Sequence, residues 1–309
     1  MTHPDLPPPE VVHGNVAQHG GRHPHAIGIL LMLAALFLIN CSDAVAKLVI
    51  GEVPVFQVAL VQAVAMVFAV PFVARTTRIR RLVATRRPWL QLLRSTCQFA
   101  SALCYFSGLA LLPLADIIAI IMVGPLMVTA LAAIVLKERV GLRRWVACAI
   151  GFAGALIIIR PGLDGMGWPA LWPIGAVAFF SVYIICTRLT APHEGTGTMM
   201  FWGAIVGLVV LAATAPFYWV APTPEVWLGL AGVAVLSSSS NGLTIRAYAH
   251  APASLLAPFS YIEIIGGTVL GYLIWQYFPD GMTWIGMAVI VGSGLYVWHR
   301  ERLANDDIR

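Results

Sequence analysis

Ionisable side chains inside long apolar segments are the residues of this sequence most able to do chemistry. Glu263 lies near the middle of one apolar stretch, and Asp43 and Lys47 lie four residues apart in another. A charge within a membrane costs free energy and is a functional candidate by default. We predict that Glu263 binds a proton, a coupling cation or a cationic group; the alternative is a structural acid that hydrogen-bonds a neighbouring helix. Asp43 and Lys47 are predicted to form an i, i+4 ion pair, either structural or a gate that breaks during a conformational switch.

Polar residues also recur at helical spacing within two further apolar segments. The first stripe consists of Arg94, Gln98, Ser101 and Tyr105, and the second of Ser237, Asn241, Thr244 and Tyr248. Residues three, four and seven apart share one face of a helix, so each stripe is predicted to line a cavity. The alternatives are that Arg94 extends to the membrane boundary and that the hydroxyls bond to carbonyls of neighbouring helices.

Two tyrosines and two prolines complete the candidate set. Tyr183 and Tyr261 lie deep enough in apolar segments to stack on a flat ligand, although tyrosine is also a common anchor at membrane interfaces. Pro125 and Pro258 each remove one helical hydrogen bond and permit a kink. The prolines are predicted to act as hinges, with passive kinks as the alternative.

The composition excludes several classes of protein. Hydrophobic residues make up 59% of the 309 residues and charged residues 11%, against about 45–50% and 25% in soluble domains. The net charge of +5 does not predict nucleic-acid binding, because the basic residues cluster in short loops between apolar segments. The sequence has no GxxxxGK[ST], HExxH or GxSxG motif, and its five cysteines lack paired spacing. We therefore predict no catalytic residue, no metal site and no cofactor.

Polar breaks divide the chain into ten apolar spans. Each approaches the ~20 residues that a helix needs to cross the hydrocarbon layer, and a helix satisfies all its backbone groups within its own segment. The sequence therefore predicts an all-α integral membrane protein with ten transmembrane helices. The spans, numbered in chain order, cover residues 26–46, 54–74, 90–112, 116–136, 142–159, 168–188, 199–220, 225–247, 252–276 and 282–299.

Basic residues are concentrated in the loops that follow the even-numbered spans. Six arginines follow span 2, and Lys137, Arg139, Arg143 and Arg144 lie between spans 4 and 5. Cytoplasmic loops carry an excess of such residues. We predict a multi-pass protein of a bacterial inner membrane with both termini cytoplasmic. Residues 1–25 and 301–309 are predicted to be cytoplasmic tails, the first flexible and histidine-rich, with metal binding as its alternative.

Spans 3–5 resemble spans 8–10. Leu114-Ala115-Asp116 at the start of span 4 matches Pro252-Ala253-Ser254 at the start of span 9. The basic loop 137–144 corresponds to 276–281, which contains no basic residue. Five spans per half invert the second half, and an inverted copy of that loop would face outward and lose its positive charge. The sequence therefore predicts two inverted five-helix repeats, residues 26–160 and 161–300.

Several short motifs occur in an order typical of one family. The first half carries Leu111-Leu112-Pro113-Leu114-Ala115-Asp116, Pro125-Leu126, Lys137-Glu138-Arg139-Val140, Arg144-Trp145, Gly151-Phe152-Ala153-Gly154 and Arg160-Pro161-Gly162, and the second half carries Ala257-Pro258-Phe259-Ser260-Tyr261 and Pro279-Asp280. With these motifs, residues 26–300 resemble the EamA-type ten-helix members of the drug/metabolite transporter superfamily. The sequence departs from them at Gln62, where such proteins often have a basic residue, and its second half lacks a Lys-Glu-Arg motif.

The resemblance implies transport of a small organic solute through a central cavity between the two halves. The second-half pattern resembles members that handle riboflavin or S-adenosylmethionine. We therefore expect a carrier that works by alternating access, with an intramembrane enzyme or a channel as alternatives. Its expected partners are the lipid bilayer and a small-molecule substrate, with or without a coupling proton or ion. The carrier would act as a monomer or a homodimer.

Overall fold

The architecture is helical throughout the part of the chain that a computed structural model describes, residues 23–74, 82–137, 141–160, 166–251 and 253–306. Two 3₁₀ segments, Trp168–Ala170 and Ala257–Tyr261, join the α-helices. The helices are α1 (His23–Ile50), α2 (Val55–Ala74), α3 (Pro88–Leu111), α4 (Leu114–Ile121), α5 (Gly124–Val135), α6 (Leu142–Ile159), α7 (Leu171–Thr190), α8 (Thr196–Tyr218), α9 (Pro224–His250), α10 (Ala253–Leu256), α11 (Ile262–Trp275) and α12 (Gly281–Asp306).

Several of these helices have the length and composition of membrane-spanning segments. Within the described residues, six helical segments are long and apolar enough to cross it, and two shorter apolar helices cover Val55–Pro71 and Trp145–Ile159. The six segments are Ala26–Ile50, Leu114–Val135, Trp168–Thr190, Gly197–Tyr218, Pro224–Tyr248 and Gly281–His299. The prediction of an all-α membrane protein is confirmed at this level.

Predicted spans 4 and 9 are not continuous α-helices. Span 4 is interrupted between α4, which ends at Ile121, and α5, which begins at Gly124. Pro125 explains the interruption, because its ring clashes with the carbonyl four residues earlier, which belongs to Ile121. Span 9 begins as α10, passes through a 3₁₀ segment that contains Pro258, and continues as α11. Both predicted hinge prolines therefore lie at breaks in regular helix.

The terminal helices are longer than the predicted spans. α1 begins at His23, inside the predicted 1–25 tail, and α12 continues to Asp306, so most of the predicted 301–309 tail is helical. Polar residues can extend a helix beyond the hydrocarbon layer, and an apolar span reports only the part within it. The rest of the predicted tails, residues 1–22 and 307–309, lies outside the described residues.

Small residues set how the helices approach one another. The Ser240 hydroxyl of α9 donates to the Ala35 carbonyl of α1 over 2.8 Å. A Cβ atom on Gly154 of α6 would lie 3.0 Å from the Gly286 carbonyl oxygen of α12. Helices that pack within a membrane use such residues because they allow close backbone approach. These contacts place α1 along α9 and α6 along α12, so helices that are far apart in the sequence pack together.

Candidate functional site

Two acidic side chains from different parts of the chain, Asp43 and Glu263, lie within electrostatic reach of each other. The Tyr105 hydroxyl of α3 donates to Asp43 Oδ2 of α1 over 2.7 Å, and Asp43 is only 8% exposed. Glu263, in the first turn of α11, lies within electrostatic reach of both Asp43 and Tyr105. Among the described residues, no basic side chain lies within 4.0 Å of either carboxylate. Two adjacent acids without a counter-charge favour binding of a proton or another cation. We call Asp43, Tyr105 and Glu263 the acidic cluster.

Close packing of α1 on α11 positions this cluster. A Cβ atom on Gly266 would lie 2.7 Å from Asn40 Nδ2, so a larger residue there would displace the Asn40 side chain. Asn40 Nδ2 donates to the Leu36 carbonyl over 2.8 Å, whereas its Oδ1 is buried without a protein donor. Asn40 and Asp43 are nearly one turn apart on α1, as are Glu263 and Gly266 on α11. The cluster therefore has a neighbouring buried acceptor that a ligand could satisfy.

The predicted ion pair between Asp43 and Lys47 is wrong. Lys47 Nζ donates instead to the Leu109 carbonyl over 2.7 Å and to the Leu112 carbonyl, and it lies 5.7 Å from the centre of the Trp275 ring. Pro113 explains this choice, because it has no N–H to donate to the carbonyl of Leu109 four residues earlier. Lys47 satisfies that carbonyl and stabilises the negative end of the α3 dipole. It ties α1 to α3.

The first polar stripe contacts several different helices. Arg94 is 2% exposed; its Nε donates to Gln91 Oε1 over 3.0 Å, and its guanidinium also donates to the Met199 carbonyl of α8. The same guanidinium lies 5.4 Å from the centre of the Tyr183 ring on α7. Arg94 therefore contacts partners on three helices, and its guanidinium occupies one face of the Tyr183 ring that we predicted would stack on a ligand.

Gln98 and Ser101 continue the stripe between Arg94 and Tyr105. The Ser101 hydroxyl donates to the Ala176 carbonyl of α7 over 2.8 Å, and Gln98 Nε2 approaches Met66 Sδ at 4.0 Å. Gln98 Oε1 is buried without a donor. This face of α3 thus runs from the Arg94 contacts to the acidic cluster and offers one unpaired acceptor along the way.

The second polar stripe divides between buried and exposed positions. Ser237 is buried, whereas Asn241 is exposed and Thr244 is partly buried. The buried side chain of α9 that donates to α1 is Ser240, outside the predicted stripe, and Ser42 of α1 donates in turn to the Val233 carbonyl of α9. The run of four serines was a signal of such contacts, but periodicity alone did not identify the member that faces α1.

A second group of polar contacts links the loop before α12 to the first half of the chain. The Tyr277 hydroxyl donates to Asp116 Oδ2 over 2.7 Å, and Arg160 forms an ion pair with Asp280. Asp116 lies in the first turn of α4, whose N-cap is Pro113 without a side-chain hydrogen bond. Sequence reasoning missed Tyr277, whose partner is 161 residues away. We call these two links the loop contacts.

Asp280→Asn is expected to lower the melting temperature slightly at pH 7 and to have little effect near pH 2. The Arg160 guanidinium and then the Thr283 N–H lower the pKa of Asp280 from 3.8 to about 2. Because the folded-state pKa is depressed, this carboxylate stabilises the protein fully above pH 3.8 and loses that effect as the pH falls through 2. The pair is partly exposed, so salt weakens it. Thermal melts at both pH values, with Glu225→Gln as the control, test this; a pH-independent difference would contradict it.

The two helix breaks border one cavity of about 230 Å³. Pro125, Pro258 and Tyr261 line it, together with Gly294 of α12. A Cβ atom on Gly294 would overlap the Tyr261 hydroxyl, so this glycine admits the tyrosine between the helices. The structure therefore brings both predicted hinges and Tyr261 together, at a place distinct from the lysine and loop contacts.

The comparisons with known proteins agree with this architecture. Residues 26–160 and 167–298 match the model of the EamA-like transporter family. The chain belongs to this family, and the predicted membership of the drug/metabolite transporter superfamily is confirmed. A solved crystal structure with 22% sequence identity aligns with a TM-score of 0.58, covering 88% of this chain and 94% of its own, and supports the fold.

Characterised relatives are similar over nearly their whole length. A riboflavin transporter of Vibrio cholerae is 31% identical over 91% of this chain and 95% of its own. An S-adenosylmethionine uptake transporter of Rickettsia bellii is 27% identical over 91% and 96%. A pseudopaline exporter of Pseudomonas aeruginosa is 24% identical over 85% and 93%. The family and these relatives support small-metabolite transport by a multi-pass inner-membrane protein over the enzyme and channel alternatives.

Proposed function

We propose that this chain carries a small organic metabolite by alternating access between two inverted five-helix repeats, residues 26–160 and 161–300. Two matches to one family model along the chain favour a duplicated architecture. Helix breaks before Pro125 and around Pro258 occur at related positions of the two halves. Discontinuous helices at the interface of inverted repeats are a recurrent feature of carriers. In this proposal the chain crosses the membrane ten times, and both termini lie on the arginine-rich, cytoplasmic side.

The acidic cluster is the observation that carries this proposal. Asp43 comes from the first half and Glu263 from the second. Among the described residues, neither acid has a close basic partner. A ligand bound between them would therefore contact both halves at once. A carrier requires this arrangement, because movement of the halves changes the access to a site that they share. The cluster favours a substrate with a cationic group, which would neutralise the two acids.

The relatives suggest two substrates for testing. S-adenosylmethionine has a sulfonium cation and fits the acidic cluster as a cationic ligand. Riboflavin is uncharged, but the riboflavin transporter is more similar to this chain than the S-adenosylmethionine transporter is. If riboflavin is the substrate, a proton takes the place of the cationic group at the cluster. Both molecules have flat rings that Tyr105 or Tyr261 could contact.

Uptake into proteoliposomes tests the function. Purified protein is reconstituted and offered a mixed metabolite panel that includes both molecules, with and without an imposed pH gradient or membrane potential. We expect saturable accumulation of one solute class. Dependence on the membrane potential alone would favour a cationic substrate, and dependence on the pH gradient would favour proton coupling. Panel uptake no greater than in empty liposomes, despite sealed vesicles and folded protein, would contradict the proposal.

One chain supplies both halves of the proposed site. The alternation therefore needs no second copy, and it can occur in a monomer or in each subunit of a homodimer. A single-molecule photobleaching count in liposomes measures which state is present. Uptake that persists in vesicles containing one copy would support the single-chain cycle.

A further inference from the structure

We propose that the groove between α6 and α12 binds an anionic phospholipid, with its phosphate at Arg143 and one acyl chain between the helices. The groove has a volume of about 500 Å³ and opens at the surface of the helix assembly. It lies apart from the acidic cluster and from the cavity at the helix breaks. The inference does not depend on which metabolite is carried.

The groove lies on the outer side of two closely packed helices. At Gly154 and Gly286, a Cβ atom on Gly286 would lie 2.7 Å from the Gly154 carbonyl oxygen, and a Cβ atom on Gly151 would lie 2.7 Å from Ser293 Oγ. The lining residues run from Ile150 and Val289 to Arg143 on α6 and Tyr296 on α12. They include the small residues Ala147 and Gly292. The result is an apolar surface groove that has an arginine at one end.

The length of the groove selects one kind of occupant. Its lining extends from Leu142 to Ile150 on α6 and from Ala288 to Tyr296 on α12. Each stretch corresponds to about 12 Å of helix. This is less than half of the ~30 Å hydrocarbon layer. A transmembrane helix of a second copy needs the full thickness and would extend beyond the groove, whereas an acyl chain from one leaflet ends near the middle of the membrane and fits.

The polarity of the groove selects the headgroup. Its lining is apolar except at the open end and at Ser293, whose hydroxyl is bonded to the Ile290 carbonyl of its own helix. Arg143 is exposed, and among the described residues no acid lies within 4.0 Å of it. Further basic residues are close in sequence, at Lys137, Arg139 and Arg144. A basic group above an apolar slot between helices is complementary to an anionic phospholipid.

Native mass spectrometry of the full chain with dioleoylphosphatidylglycerol and dioleoylphosphatidylcholine tests the site. We expect about fivefold more bound phosphatidylglycerol than phosphatidylcholine, because that is the preference that one basic side chain provides for an anionic lipid. Arg143→Gln should remove this preference, whereas Arg246→Gln, at an exposed arginine of α9, should retain it. Inorganic phosphate should not displace the lipid, because it lacks the acyl chain.

A groove-filling variant tests the acyl slot separately. A Cβ atom on Gly292 would meet nothing within 4 Å, so Gly292→Phe can enter the groove without a backbone clash. It should lower binding of both lipids, whereas Gly242→Phe, at an equally open position on α9, should not. Equal lipid binding by wild type, Arg143→Gln and Gly292→Phe would overturn the proposal. So would a dimer that Gly292→Phe dissociates without loss of lipid.

Discussion

Glu263→Gln and Asp43→Asn are each expected to lower the rate of substrate uptake by about 10- to 100-fold, the loss that corresponds to one charge-assisted contact of about 1.5–3 kcal/mol. Each substitution keeps the size of the side chain and removes its ability to carry a negative charge. If the two acids share one cation, the second substitution should cost less in the variant that already has the first. Initial rates in proteoliposomes, measured for both single variants and the double variant, provide this comparison.

Glu225→Gln is the matched control for these variants. Glu225 is an exposed acid in the first turn of α9, away from the acidic cluster, and its neutralisation should leave uptake unchanged. Tyr105→Phe removes the hydrogen bond to Asp43 without changing charge and should have a smaller effect than Asp43→Asn. Wild-type uptake, with unaltered dependence on pH and membrane potential, in the Asp43–Glu263 double variant would rule out the proposed role of the cluster.

Gly286→Ala is expected to destabilise the protein by about 1–3 kcal/mol, as overpacking of a close contact does. The added methyl group would lie 2.7 Å from the Gly154 carbonyl oxygen and would also overlap Ile158. The backbone atom cannot rotate away as a flexible side chain can, so α6 and α12 must separate. Thermal unfolding in detergent micelles measures the loss.

Gly242→Ala controls for the general effect of replacing a helical glycine. Its Cβ atom would meet nothing within 4 Å, and alanine is favoured over glycine in a helix by up to about 1 kcal/mol. We therefore expect an equal or higher melting temperature for this variant. A Gly286→Ala protein that melts at the wild-type temperature would show that α6 and α12 adjust without cost.

Composition and motif order were enough to predict the membrane class and the family, and they singled out Glu263 as an acid within an apolar segment. These features depend on local residue content, because an apolar segment with one charge is unusual wherever it packs. The breaks near Pro125 and Pro258 were also foreseeable, since proline disrupts its own helix. Span ends were less accurate because α1 and α12 extend past their apolar parts.

The partners of the polar residues could not be predicted from spacing. Asp43 and Lys47 have the separation of an ion pair, but Tyr105 and the free carbonyls before Pro113 offer each of them a closer alternative. Those alternatives lie about 60 residues away in the chain and become available only when α1 packs against α3. The choice of Ser240 rather than Asn241 as the contact to α1 likewise depends on the rotation of one helix about its axis. Local patterns identify which side chains need a partner, and tertiary packing decides which partner they find.

The pairing of α1 with α9 has a consequence for biogenesis. The Ser240 hydroxyl and the Ala35 carbonyl that it contacts are 205 residues apart, and Ser42 reaches the Val233 carbonyl over a similar separation. At about 5–20 residues per second, the ribosome needs roughly 10–40 s to synthesise the intervening chain. During that interval α1 has already been made, but the helix against which it packs has not. The polar face of α1 must meanwhile be covered by lipid, by neighbouring nascent helices or by an insertion factor, so we expect a chain that stalls before α9 to be less stable than the complete protein.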